Sequence, residues 1–364
     1  MVLISELQKE VSYLGFSGEF RTLPDFFNWI RRAVLLFTPE KLKYSSQTKD
    51  SLIGKDSRFL DITEVMEGTF GKLYLSYMDS GFYSGHVFIK TSKKYQQSLL
   101  VEGLLQSCAY SVLKQYGFYQ GVPRILKIVN SPDHGTSLVI QQIPGAKLFA
   151  EYLKTHFQWG EENEANDRLV LSIIVQVATF MAILEHELGM NHRDLKGTNV
   201  LMVTPVQTFT RTIQIGPHIW SFQSTIEVSI IDFGFSCIGN SAGKTVLSAG
   251  DFLPETDFCP KQGRDLFLFF ASLWSVEDFR NSLTQPCKDL FHKWLCDSNE
   301  KSWADWLKMS LENNMLSMYL LCNTNNFLSP PCTPIRVLQD IYTVAPDLLS
   351  IVTIQRPGTP IPDL

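Results

Sequence analysis

The sequence predicts an α+β fold in two lobes, a small antiparallel β lobe followed by a larger, mainly helical one. Three observations lead there. The chain has 364 residues, which at about 150 residues per domain gives roughly two domains. Hydrophobic residues make up 45%, enough for a sizeable core and too many for wholesale disorder. Short β-prone runs crowd the stretch from Asp61 to Ile143, and helical periodicity dominates after Pro144-Gly145.

Taken in order, residues 1–55 read as an N-terminal extension, with a helical patch at Leu23 to Phe37 and a polar stretch at Ser45 to Ser51. Residues 56–143 form the β lobe. Lys72 to Tyr77 and His86 to Lys90 are strands with Gly81 and Gly85 between them, and 98–116 is a helix. Leu138 to Ile143 is an apolar strand ended by Pro144-Gly145. Residues 144–350 form the helical lobe, with helices at 169–189, 265–280, 287–296, 302–322 and 334–343. Within it, Arg211 to Ile215 and Thr225 to Ile230 read as two strands of a hairpin around Gly216-Pro217, inside an insertion near 203–228. Residues 351–364 are a Pro-rich, loose tail.

Composition narrows the class. There are 32 basic and 37 acidic side chains, a net charge of −5. A general nucleic-acid binder needs a basic surface, so no direct nucleic-acid partner is expected. Seven cysteines (108, 237, 259, 287, 296, 322 and 332) with no CxxC pair argue against a disulfide framework and for a reducing compartment. Cys287, His292 and Cys296 share a predicted helix, but their spacing does not converge on one face, so they read as core or surface rather than zinc ligands. The start reaches Glu6 and Lys9 before any long apolar run and does not read as a signal peptide. The longest apolar stretch, Leu169 to Leu184, is broken by Ser172, Gln176 and Thr179. It is short of the about 20 residues a membrane span needs, and reads as a buried helix. The expectation is an intracellular protein, cytoplasmic or nuclear, with no membrane partner.

The strongest local signals are His192-Arg-Asp-Leu-Lys-Gly-Thr-Asn199 and Ile231-Asp-Phe-Gly234. Either alone is compatible with an ordinary loop or strand-turn. Together and in this order they resemble the catalytic loop and metal-binding segment of eukaryotic-type protein kinases. That resemblance implies a bilobal kinase-like fold, ATP and Mg2+ as cofactors, and roles for particular residues. Asp194 would orient the substrate hydroxyl and accept its proton. Lys196, which resembles the serine/threonine form of the loop, would steady the γ-phosphate. Asn199 and Asp232 would hold magnesium, a hard cation that takes few protein oxygens plus phosphate oxygens.

Upstream, Val87-Phe-Ile-Lys90 resembles the strand whose lysine reaches the α- and β-phosphates. Its usual partner is a helix glutamate, and Glu102 is the only acidic residue between Thr91 and Pro132. Two solvated charges are the plain alternative. Gln106, one turn beyond Glu102, stands where the family places an apolar residue. Met66-Glu-Gly68-Thr69-Phe70-Gly71-Lys-Leu73 resembles the glycine-rich phosphate loop, with Met66 in place of the first glycine and Leu73 over the adenine; by itself it reads as a hairpin turn. Leu138 to Gly145 looks like the hinge, with Ile140 behind the adenine and Gln141, Gln142 and Ile143 offering backbone groups to its edge.

Asn199 and Asp232 are 33 residues apart, as are Asp232 and Asp265. The longer first gap and the run Ile226 to Asp232 resemble the haspin group. Gly263-Arg-Asp265 resembles the start of the helix that braces the catalytic loop, and Leu253-Pro-Glu255 is the nearest match to the motif closing the activation segment. The runs around Asp232 and Asp265 also look like serine/threonine kinases of large cytoplasmic DNA viruses, which would place the protein in a host cell. Arg193 could bind a phosphate on Ser236, Ser241, Thr245 or Ser248. The resemblance as a whole implies a serine/threonine protein kinase acting on a protein substrate. Two other readings stay open: a pseudokinase that binds nucleotide as an interaction module, and a small-molecule kinase on a related fold.

Overall fold

The computed structural model describes residues 2–45, 51–68, 71–92, 99–205, 207–249, 257–295 and 332–353. In chain order the elements are α1 (Val2–Tyr13), α2 (Leu23–Leu36), β1 (Glu40–Lys41), β2 (Lys43–Tyr44), β3 (Leu52–Ile53), β4 (Ser57–Glu67), β5 (Gly71–Ser80), β6 (Ser84–Ser92), α3 (Leu99–Gln115), β7 (Ile125–Ser131) and β8 (Gly135–Gln141). Then follow β9 (Lys147–Leu148), α4 (Phe149–His156), α5 (Glu164–Leu188), β10 (Met190–Asn191), a 3-10 turn (Gly197–Asn199), β11 (Val200–Val203), β12 (Phe209–Ile215), β13 (His218–Ser224) and β14 (Glu227–Ile230). The last are β15 (Cys237–Gly239), β16 (Thr245–Ser248), α6 (Arg264–Trp274), α7 (Glu277–Asn281), α8 (Gln285–Leu295), α9 (Pro334–Val344) and β17 (Leu349–Thr353).

The chain forms two compact units. One comprises Met1–Pro144, Leu188–His192 and Ile230–Pro260; the other comprises Gly145–Glu187, Arg193–Ser229 and Lys261–Leu364. This is an α+β arrangement, one unit built on a β-sheet and the other mainly helical.

The first unit is built on a sheet of order β1-β7-β8-β6-β5-β4-β3-β2, antiparallel except for the β1–β7 edge. Strand alternation sends Val87, Ile89 and Val139 to one face, where they pack with Phe59, Met78 and Val129. Residues 1–55 are part of this unit. Thr22 and Asp25 close a capping box at the start of α2, next to Pro24 in its first turn, which is why the helix begins where it does.

In the second unit α5 is the central helix, with Ile174, Val177, Phe180 and Ile183 fully buried. Among the described residues it is the one helix long and apolar enough to cross a membrane, and most of it is buried inside the structure, as core helices are. Buried Gln176 makes it a polar anchor as well: its amide donates to Ile226 O at 3.0 Å and accepts from Val228 N–H at 3.1 Å.

The hairpin differs from the expected one. Its second strand is β13, directly after Gly216-Pro217, with Ile215 opposite His218. Gly216 has φ 55°, and the ring of Pro217 holds φ near about −65°; a glycine-first two-residue turn of this kind matches strand twist. Residues 227–230 form the separate strand β14, which lies beside β11. Alternation in Thr225 to Ile230 signalled a strand correctly but not its partner. β13 pairs on its other side with β17, which runs to Thr353 and so into the stretch expected to be loose. The helix expected over 265–280 is two, α6 and α7, broken at Ser275-Val276.

The cysteine expectation also needs correction, since Cys237 and Cys259 are joined by a disulfide. Their spacing carries no sequence signature. Contact is made by a chain reversal in which Gly239 passes so close to Cys259 that a Cβ would sit 1.5 Å from its carbonyl oxygen. Cys108, Cys287 and Cys332 are buried, and burial pushes the thiols of Cys108 and Cys287 up. His292 is exposed. Cys296, Cys322, the helix expected at 302–322 and residues 354–364 lie outside the described residues.

Candidate active site

The predicted functional residues fall in two groups, one in each unit. The first group starts from the register of three strands. Lys90 on β6 lies opposite Leu73 on β5 and Leu138 on β8, and Phe88 lies opposite Ile140. Cross-strand partners share a face, so Lys90, Leu73 and Ile140 are on the face opposite the Val87–Ile89 core. Gly103 brings α3 close to this face. A Cβ there would come within 2.5 Å of Leu138 Cδ2, and that close approach sets the depth of its neighbour Glu102. The sequence offered this glycine inside the expected helix, but nothing local marked it as a packing contact.

Lys90 Nζ donates to Glu102 Oε1 at 2.6 Å and to Asp232 Oδ1 at 2.7 Å. Glu102 is 4% exposed, whereas the Asp232 side chain keeps 43%. Burial alone would lower the Lys90 pKa, but the two carboxylates outweigh it and hold the ammonium above its ordinary value. Burial raises Glu102, and Asp232 adds to the rise against the opposing pull of Lys90. Gln106 fits without an apolar residue, because its Nε2 donates to Pro123 O at 2.8 Å.

Asp232 has φ 67°, a left-handed backbone that a non-glycine residue adopts at a cost of about 1–3 kcal/mol. Gly234 leaves room beside it, since a Cβ there would lie 3.3 Å from both Asp232 Oδ1 and Glu102 Oε2. His192 Nε2 donates to Ile231 O at 3.0 Å, and its ring packs on Phe233 at 4.8 Å.

Of the glycine-rich loop, Thr69 and Phe70 lie outside the described residues. Gly68 N–H donates to Gly71 O at 2.8 Å. The two glycines differ in need. A Cβ on Gly71 would sit 1.9 Å from Thr91 O, a backbone atom, while the nearest atom to one on Gly68 is 3.7 Å away. Gly71→Ala is therefore expected to destabilise the protein by about 1–3 kcal/mol and Gly68→Ala by less than about 1 kcal/mol. Urea unfolding of both variants checks this; equal losses would contradict it.

The hinge residues differ in which backbone donors they leave open. Gln141 N–H is held by Arg124 O at 2.9 Å, and Gln142 N–H by His86 O at 3.3 Å. Strand pairing consumes those two donors. Ile143 N–H has no partner among the described residues.

The second group is organised by α6. Asp265, in its first turn and fully buried, accepts Arg193 N–H at 2.7 Å. Arg193 has φ 66°, so the brace holds a strained residue next to Asp194. Gly263 N–H donates to Glu185 Oε1 at 3.0 Å. Burial, with Asp265 adding to it, lifts Glu185 well above the usual carboxylate range. Glu185 was not anticipated; an acidic residue ending a long apolar helix was its one signal.

Lys196 Nζ lies 2.9 Å from both Asp194 oxygens. Asn199 Nδ2 donates to Asp194 O at 2.7 Å and to Asp194 Oδ2 at 3.0 Å. Both acceptors are oxygens, which fixes the amide with its nitrogen inward. Asn199 Oδ1 then has no partner among the described residues. Gly197 N–H donates to Ser272 Oγ at 3.2 Å and ties the loop to α6.

Arg193 is 1% exposed, a position built for packing rather than for an exposed phosphate. Ser236 is also fully buried, its hydroxyl donating to His192 O at 3.3 Å, which removes it from the candidate modification sites. Leu253-Pro-Glu255 lies outside the described residues.

No curated protein matches the chain. The family model for protein tyrosine and serine/threonine kinases matches residues 61–254, more than half of the 364 residues and the stretch that carries Lys90, Glu102, Asp194, Asn199 and Asp232. The chain therefore belongs to the protein tyrosine and serine/threonine kinase family.

Proposed function

We propose that the protein is an active serine/threonine protein kinase that transfers the γ-phosphate of Mg·ATP to a protein hydroxyl. The observation that carries the reading is the ammonium of Lys90 bonded at once to Glu102 and Asp232. A chain with no phosphoryl transfer to perform would gain little from a costly charge cluster of this kind.

Phosphoryl transfer asks mainly for positioning and charge neutralisation. Lys90, held by Glu102, would meet the α- and β-phosphates. Leu73 and Ile140 would enclose the adenine, with Gly68 and Gly71 allowing backbone approach to the phosphates. Asp194, fixed by Asn199 Nδ2, would orient the substrate hydroxyl and take its proton. The residues present fit magnesium. Asn199 has a carboxamide oxygen with no partner among the described residues, and the half-exposed Asp232 offers a carboxylate, both hard oxygen donors. When bound, the ion would neutralise charge on the phosphates.

The serine/threonine preference is supported by Lys196, whose contact with both Asp194 oxygens places a cation beside the base. The β12–β13 hairpin before Asp232 supports a haspin-like insertion. The test is transfer of labelled γ-phosphate to the protein itself and to basic proteins such as histones, followed by phosphoamino-acid analysis. Label on serine or threonine is expected. Label on tyrosine alone would refute the residue class, and ATP binding without transfer would leave a pseudokinase.

A further inference from the structure

The segment Gly121-Val-Pro-Arg124 contains none of the motif residues, yet four sets of bonds converge on it. Gly121 O accepts Ile230 N–H at 2.9 Å, two residues before Asp232. Pro123 O accepts Gln106 Nε2 at 2.8 Å, one turn beyond Glu102. Arg124 O accepts Gln141 N–H at 2.9 Å. The fourth set reaches the N-terminal helix: Arg124 Nε and Nη2 each lie 3.0 Å from a different oxygen of Glu10.

The Glu10 end of the fork is enclosed, while the Arg124 side chain keeps 27% exposure. Glu10 is 6% exposed. The guanidinium stacks 4.0 Å from the Tyr13 ring of α1 and 5.6 Å from the Tyr110 ring of α3. Around it α1 packs on α3 with Leu7 and Val11 buried. Almost every residue of α3 from Leu99 to Val112 is buried. A helix buried on all sides needs cover on all sides; the sheet provides one side and α1 another.

We propose that α1 is a positioning element of the nucleotide site, with Glu10 and Arg124 as its positioning residues. The inference rests on the kinase reading. Glu10 clamps Arg124, and the 121–124 segment holds in one register the helix bearing Glu102, the strand end bearing Gln141 and the strand leading to Asp232. Removing one partner of a partly buried, two-bond ion pair leaves the other charge less well compensated. The segment then loosens, and a smaller fraction of molecules has all three parts in place. Apparent nucleotide affinity falls by that fraction.

The experiment uses the full chain with Glu10→Gln, Arg124→Gln and the double variant. Glu10→Gln is expected to raise the Kd for Mg·ATP about tenfold, with the KM for protein substrate unchanged. Amide exchange should quicken at residues 99–106 and 230–234 together. The double variant should be no worse than either single one, since the pair acts as a unit. Arg124→Lys keeps the charge but loses the fork; it should give a smaller shift in the same direction even if the glutamine variants fold poorly. A lowered melting temperature with unchanged Kd per folded molecule would overturn the proposal and leave α1 a structural cover. So would faster exchange at 99–106 alone. Failure of the wild-type chain to bind nucleotide would instead refute the kinase reading, and the coupled exchange would still decide whether Glu10 holds these segments together.

Discussion

Asp194→Asn is expected to slow phosphoryl transfer by about 10²–10⁴-fold, the range that a positioned general base contributes, while Mg·ATP affinity changes by less than about threefold. The carboxylate is well prepared for the task. Lys196 touches both of its oxygens at 2.9 Å, and Asn199 Nδ2 fixes one of them. Replacement by the isosteric amide keeps the volume and removes the proton acceptor. It also turns an NH2 group toward the donors of Lys196 or Asn199, so the new side chain has no good orientation. The loss should therefore fall on kcat and not on ATP binding. Single-turnover transfer and a separate nucleotide titration check it. Transfer at the wild-type rate would remove Asp194 from the chemistry; loss of ATP binding would mean that it acts through the fold.

Much of this group was readable from the chain because its contacts are local. Asp194, Lys196 and Asn199 lie within six residues, and the tight turn Gly197–Asn199 helps to bring them together, although Asp265 and Ser272 of α6 brace the loop from outside it. The Lys90–Glu102 contact was implied by the resemblance, and one acidic residue was available on the following helix to meet it. Asp232 as a second partner of Lys90 spans 142 positions and leaves no local trace. The hairpin shows the same limit. Alternation marked residues 225–230 as a strand, but whether it paired with Arg211 to Ile215 or elsewhere depended on the two-residue turn at Gly216-Pro217 and on β17, more than 120 residues away. The Cys237–Cys259 contact and the 121–124 node were illegible for the same reason: both are made by backbone carbonyls or chain reversals, which side-chain identity does not encode. Gln106 was misread in a related way. It stands at an apolar position of the family, but the carbonyl that satisfies it belongs to Pro123.

Lys90→Met should abolish measurable transfer and, more tellingly, make stability depend on pH. The substitution leaves Glu102 and Asp232 facing one another without a cation. Burial already holds Glu102 above its ordinary value despite Lys90, so its pKa rises further when the ammonium is gone. A carboxyl group whose folded pKa is raised binds its proton more tightly in the native state. The variant therefore matches the wild type best below the unfolded value near 4.5, where the group is protonated in both states. Its deficit grows as pH rises through the folded value, reaching about 3 kcal/mol near neutrality, the low end for a broken buried pair because Asp232 is partly exposed. Lys90 itself does not confuse the comparison. Its raised pKa gives a stabilisation that is full below its unfolded value and is lost only as pH rises through the higher folded one. Urea unfolding of both proteins from pH 4 to pH 8 measures the gap. A gap constant across that window would show that the two carboxylates are not coupled through Lys90. Adding Glu102→Gln to Lys90→Met should recover most of the stability at neutral pH and none of the transfer. The double variant thus separates what Lys90 does for the fold, which another neutralisation can replace, from what it does for the phosphates, which requires a cation at that position.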